Sequence, residues 1–212
     1  MRIVKIERYG RDPNRCVLHT DCGTEAVVYA DIVIREGLCT GAELTAEQWE
    51  EISAETAKLR TKRRAAAMLG RRPLSHRELV KKLCEKGESR EDAEEAAEWL
   101  EELELLDDRQ YADTVVRYYL SRGYGPGRIS DELYRRGVGR EEAKEALEGL
   151  EVPDETIDRL LRSKVKPGRD PRRELKRAAD SLYRKGFSWS DIKAAVRRFE
   201  IDRLSEEDDN GL

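Results

Sequence analysis

Apolar and polar residues alternate along roughly the first thirty positions, and from residue 45 onward apolar residues recur every three or four. The runs "RIVKIERY" (2–9), "RCVLHT" (15–20) and "EAVVYA" (25–30) are short and alternating or β-branched, which predicts strands. "RDPN" and "DCG" between them are turn signals, so a β-hairpin or three-stranded meander is expected. "DIVIREG" (31–37) then predicts a short helix stopped by Gly37.

The rest of the chain predicts helices. Thr45 with Gln48, Ser75 with Glu78, and Ser89 with Asp92 match the capping-box pattern, in which a hydroxyl and a side chain three residues on satisfy free amides. Asp107 starts a further helix, and Ser188 with Asp191 marks the last start. Pro126 and Pro171 occupy first helical positions, where a missing N–H costs nothing.

Three windows align without gaps: "LVKKLCEKGESREDAEEAAEWL" (79–100), "ISDELYRRGVGREEAKEALEGL" (129–150) and "AADSLYRKGFSWSDIKAAVRRF" (178–199). Leu83, Leu133 and Leu182 coincide, and so do Lys86-Gly87, Arg136-Gly137 and Lys185-Gly186. Each window is a helix, a basic-Gly stop and a capped helix. A preceding helix at roughly 45–70, 107–122 and 153–165 completes each unit.

The expected fold is therefore mainly α: an elongated tandem array of three three-helix, helix-turn-helix-like repeats behind a small N-terminal β-hairpin or meander. The divisions read 1–44, 45–105, 106–151 and 152–200, followed by an acidic, disordered tail over 201–212.

Composition agrees with thin repeated cores. Hydrophobic residues are 38% of the 212 and aromatics 6%, low for one compact globule. Charged residues at 41% leave no stretch apolar enough to span a membrane. "MRIVKIERYG" lacks the apolar core of a secretory leader, so a cytoplasmic location is expected. Cys16, Cys22, Cys39 and Cys84 form no dense pairing framework and are expected to be reduced.

The net charge is −4, and residues 201–212 alone sum to −4. Elsewhere the signs are segregated: residues 58–82 sum to +9, residues 84–110 to −9 and residues 151–200 to +5. Such blocks suit a large charged partner.

Candidate chemistry is sparse. The loop Gly123-Tyr124-Gly125-Pro126-Gly127 follows a helix rather than a strand and has neither the dinucleotide nor the P-loop spacing, so no cofactor is expected. Gly123 as helix stop, Gly125 as N-cap and Pro126 as first helical residue explain its backbone. Cys16, His19, Cys22 and Cys39 could supply metal ligands, but strand alternation puts Cys16 and His19 on opposite faces, and no metal is expected. His19 and His76 are the only histidines, and no catalytic set emerges, so the chain is not expected to be an enzyme. Cys84 aligns with Tyr134 and Tyr183, so a helix-packing role is expected for Cys84 rather than a catalytic one.

Basic residues cluster in all three units. The first holds Arg71, Arg72, Arg77, Lys81 and Lys82; the second holds Arg122, Arg128, Arg135 and Arg136 beside Tyr124. The third holds Arg172, Arg173, Lys176, Arg177, Arg184 and Lys185. Their recurrence predicts a basic stripe that tracks a phosphate backbone or an acidic protein groove. Arg122, Tyr124 and Arg128 are the first contacts expected.

"LDDRQYADTVVRYYLSRGYGPGRISDELYRRGV" (106–138) resembles the central segment of the RecX family. The resemblance rests on Asp107, Asp108, Tyr111 and Ala112, then Arg122, Gly123, Tyr124, Gly125 and Pro126, and then Ile129, Glu132, Leu133, Arg136 and Gly137. "RRPLSHRELVKKLCEKG" (71–87) and "LYRKGFSWSDIKAAV" (182–196) resemble the family's first and third repeats. The resemblance implies a bacterial, cytoplasmic negative regulator that binds the RecA recombinase filament, in its groove or at its growing end. It would modulate the ATPase, strand-exchange and coprotease activities in recombination, DNA repair and the SOS response. Single- or double-stranded DNA is a second candidate partner, and stand-alone DNA binding is the alternative function. A monomer is expected.

Overall fold

In the computed structural model, which describes residues 1–166 and 170–209, three antiparallel strands form a meander in the order β1-β2-β3. They are β1 (Ile3–Arg8), β2 (Arg15–Thr20) and β3 (Glu25–Tyr29). The register pairs Lys5 with His19 and Cys16 with Val28. Alternation buries Ile3, Leu18 and Val28, and leaves Val4 half exposed. A short helix, α1 (Ala30–Arg35), contributes Ile32 to the same core, and Gly37 follows it with a positive φ.

Nine further helices follow among the described residues, in three trios: α2 (Ala46–Leu69), α3 (His76–Glu85) and α4 (Arg90–Glu102); α5 (Asp108–Ser121), α6 (Pro126–Arg135) and α7 (Arg140–Leu147); α8 (Asp154–Arg162), α9 (Pro171–Arg184) and α10 (Trp189–Asp209). In each trio the first helix packs on the third. The helix starts are those the sequence predicts. Thr45 and Gln48 complete a capping box, and the hydroxyls of Ser75, Ser89 and Ser188 accept from the amides of Glu78, Asp92 and Asp191. Gly87, Gly137 and Gly186 all have positive φ after the second helix.

The chain divides into two compact units. The first comprises Met1–Arg72 and Leu79–Leu106; the second comprises Pro73–Glu78 and the residues from Asp107 onward. The boundary therefore falls inside α3. It does not coincide with the repeat divisions, because the first turn of α3 packs within the second unit.

The trios share a core plan. Leu83, Leu133 and Leu182 are all fully buried. The residue after the glycine stop plugs the core as Val138 in the second trio and Phe187 in the third. In the first trio the same position is Glu88, whose side chain is only 1% exposed. Arg64 donates to it at 2.5 Å, Arg60 at 2.8 Å and the Thr61 hydroxyl at 3.0 Å. Burial pushes the Glu88 carboxyl up, but the Arg60 and Thr61 hydrogen bonds and both guanidinium charges hold it below the usual carboxylate range.

Helix α2 explains how so charged a segment packs. It buries a narrow line of Ile52, Thr56, Thr61 and Ala65, and α4 buries Ala93, Ala96 and Ala97. Small side chains let two helices approach closely. The buried hydroxyls of Thr56 and Thr61 are satisfied by carbonyls one turn earlier in α2. At the other end, α10 continues through Asp209, into the segment that charge alone assigns to a disordered tail. Residues 210–212 lie outside those described.

Candidate functional site: a repeated joint and the charges around it

The glycine-rich loop before α6 is a joint. The Gly125 amide donates to the Lys185 carbonyl at 2.8 Å, and the Gly127 amide to the Gly186 carbonyl at 3.0 Å. A Cβ on Gly125 would stand 2.5 Å from the carbonyl of Gly186, and a Cβ on Gly186 would stand 2.1 Å from the Arg128 amide nitrogen. No real Cβ tolerates such distances, so the start of α6 and the end of α9 meet backbone to backbone. Gly186 also has φ +89, which L side chains rarely adopt.

The same positions, one repeat earlier, form a second joint. The Ser75 hydroxyl donates to the Arg136 carbonyl at 2.5 Å, and a Cβ on Gly137 would sit 3.0 Å from that of Arg77. Asp108 also accepts from the His76 amide at 2.8 Å. In both joints the carbonyl of the basic residue before the glycine stop is the acceptor.

The joints sort the predicted contact residues into two kinds. Lys185 is committed internally: its ammonium donates to the Gly123 carbonyl at 3.1 Å and lies 5.2 Å from the Tyr124 ring centroid. Tyr124 is half-buried between Lys185 and Tyr119 rather than presented as a contact. Arg136 is also committed. It is half-buried and bonds Glu132 at 2.7 Å and the Tyr111 hydroxyl at 3.1 Å. Arg135 pairs with the same Glu132, which is buried in α6. Burial pushes the Glu132 carboxyl up, and the Tyr119 hydrogen bond, the Arg136 hydrogen bond and both arginine charges bring it below its ordinary value. Arg177 pairs with the buried Glu174 at 2.9 Å. Tyr124, Arg135, Arg136, Arg177 and Lys185, all expected as partner contacts, thus each also make contacts within the chain.

Other predicted residues stay exposed. Arg122 lies over the Tyr118 ring at 4.6 Å from its centroid. Arg128 and Arg184 flank the third-trio joint at the surface. Arg172, Arg173 and Lys176 are exposed on α9. Arg71 and Arg77 are exposed, and Lys81 makes a long surface pair with Glu85. Arg72 and Lys82 are engaged within the chain.

Cys84 is half-buried, whereas the aligned Tyr134 is 80% exposed and Tyr183 62%. Each tyrosine stands beside a groove at its joint. The first groove, about 840 Å³, brings together Arg77, Tyr134, Val138, Arg140, Lys144 and Leu147. The second, about 490 Å³, is lined by Arg128, Asp131, Tyr183, Arg184, Phe187 and Asp191. Arg140 and Lys144 are missed by sequence reasoning. The signal that could have found the grooves is the coincidence of Tyr134 and Tyr183 in the aligned windows.

Among the described residues no group of three or more His, Cys, Asp or Glu is placed to hold a metal ion. His19 bonds Glu25 at 2.8 Å and Glu7 at 3.1 Å instead. No described helix is long and apolar enough to cross a membrane.

A three-stranded sheet followed by jointed helix trios defines a tandem three-helix-repeat protein. Residues 107–147 match the family described as "RecX, second three-helix domain", and residues 153–196 match "RecX, third three-helix domain". The Regulatory protein RecX of Chromohalobacter salexigens is 37% identical over 135 residues, covering 62% of this chain and 88% of that one. That of Clostridium perfringens is 26% identical over 211 residues, covering 97% and 99%. A solved structure described as "Crystal structure of regulatory protein RecX" superposes with a TM-score of 0.73 at 26% identity, covering 92% of this chain and 98% of that one. The chain belongs to the RecX family, whose named members are regulatory proteins.

Proposed function

We propose that the chain is a cytoplasmic negative regulator of a RecA-type recombinase. It binds the recombinase filament on DNA, in its groove or at its growing end. It thereby modulates ATPase, strand-exchange and coprotease activity in recombination, repair and the SOS response. It acts by binding rather than by turnover, in keeping with relatives named as regulatory proteins.

The observation that carries this reading is the repeated joint. Residues 75–77 meet residues 136–137, and residues 125–128 meet residues 185–186, through equivalent backbone positions. Equivalent joints put equivalent positions of successive repeats at the surface, which suits a partner that itself repeats. A filament is such a partner, and a protein docked on it can hinder subunit movement or addition.

The test is recombinase ATPase and repressor self-cleavage on single-stranded DNA, with this protein titrated in. Both activities should fall at stoichiometric protein or below. Unchanged activities at excess protein would rule the reading out.

The exposed Arg172, Arg173 and Lys176 on α9 favour a second reading, stand-alone DNA binding through phosphates. Binding to DNA without recombinase, with log K falling linearly against log salt, would support it. No binding at low salt would remove it.

A further inference from the structure

The first groove combines free cations, an unpacked aromatic ring and an apolar floor. Arg77, Arg140 and Lys144 make no ion pair among the described residues. The Tyr134 ring projects beside them with most of its surface in solvent. Val138, Ala143 and Leu147 form the floor. This contrasts with Arg135 and Arg136 at the end of α6, which share the carboxylate of Glu132.

We infer that this groove is a docking site for an acidic protein segment that places one apolar side chain on the floor and its carboxylates among Arg77, Arg140 and Lys144. The inference rests on the proposed function and assigns the segment to the recombinase. Charge selects an acidic occupant. The aliphatic floor and the single ring select a protein over a nucleic acid, because unpaired bases are held on stacked aromatic platforms. Glu148 on the rim points the same way: it repels a continuous polyanion but tolerates discrete carboxylates held away from it.

The second groove is the control that the fold supplies. It occupies the equivalent joint and has its own exposed tyrosine, Tyr183. Asp131 and Asp191 line it together with Arg128 and Arg184, so its formal charge is balanced and its preference for acids is lost. The joint makes the groove in both trios, and the side chains make only the first one basic.

The test places a photocrosslinker in the full chain as Tyr134→p-benzoylphenylalanine, an exposed position that folding tolerates. The partner is RecA assembled on single-stranded DNA. A crosslink to the recombinase polypeptide is expected. The variant Arg140→Glu/Lys144→Glu should need about ten-fold more protein for the same ATPase inhibition, the scale of a lost interface anchor. Both positions are exposed and Arg140→Glu suits the first turn of α7, so circular dichroism should be unchanged. A crosslink to DNA alone overturns the inference in favour of a nucleic-acid groove. So does normal inhibition by wild type with no crosslink and no effect of the charge reversals. If wild-type protein neither crosslinks nor inhibits, the proposed function fails and takes this inference with it.

Discussion

The amide of Gly125 donates to the carbonyl of Lys185 at 2.8 Å, and the chains around these two residues meet with no room for a side chain. The glycines that look like a phosphate cradle are there so that one helix start can lie against another helix end. What remains for function is the surface around the joint.

Replacing Gly186 by Ala should loosen the joint. The new Cβ clashes with the Arg128 amide and the positive φ is strained, together a cost on the order of 1–3 kcal/mol. Hydrogen exchange should report it directly: the Gly125 and Gly127 amides lose protection while those of α5 keep theirs. Protection unchanged at Gly125 would contradict the joint.

Tyr124 and Arg128 are neighbours in sequence with opposite roles. Tyr124→Ala removes a half-buried ring from the second-trio core and should cost roughly 2 kcal/mol in denaturant unfolding. Arg128→Ala should stay within about 0.5 kcal/mol, as for an exposed side chain without a partner. Equal losses for the two would show that the loop is organised differently.

Glu88 makes the first unit acid-sensitive. Its carboxyl is depressed in the folded state, so its contribution is fully present above the ordinary value of 4.5 and is lost as pH falls through the folded value. Glu88→Ala, which strips a buried carboxylate from two arginines, should cost about 3 kcal/mol at pH 7. The gap between variant and wild type should narrow as pH drops below about 4. A gap independent of pH would mean that Glu88 acts by packing alone.

Cys22 should be the first thiol to react. It is exposed, and hydrogen bonds with the Thr20 and Thr24 hydroxyls at 3.1 and 3.3 Å lower it to about 7. Alkylation followed by peptide mass spectrometry should modify Cys22 ahead of Cys16, Cys39 and Cys84 near neutral pH. Thr24→Val should shift the rate profile to higher pH. An unshifted profile would remove the Thr24 hydroxyl as a cause.

Much of the fold is local and was legible in the sequence. Strand alternation, the serine and threonine caps, the basic-Gly stops and the triple alignment all describe contacts made within a few residues, and periodicity records those contacts. What the glycines of 123–127 are for is not local. Ser75 and Arg136 are 61 residues apart, and Lys185 and Gly123 are 62. Nothing in the spacing says that the carbonyl before a glycine stop will accept from the previous repeat, or that Gly125 must lie on Gly186. The cations were visible but their availability was not. Arg136 and Lys185 read like Arg140 and Lys144, and only the folded chain shows that buried Glu132 and the Gly123 carbonyl claim the first pair. Sequence periodicity determines which face of each helix is buried. Tertiary structure decides which charges are neutralised, because that depends on partners brought together from distant repeats.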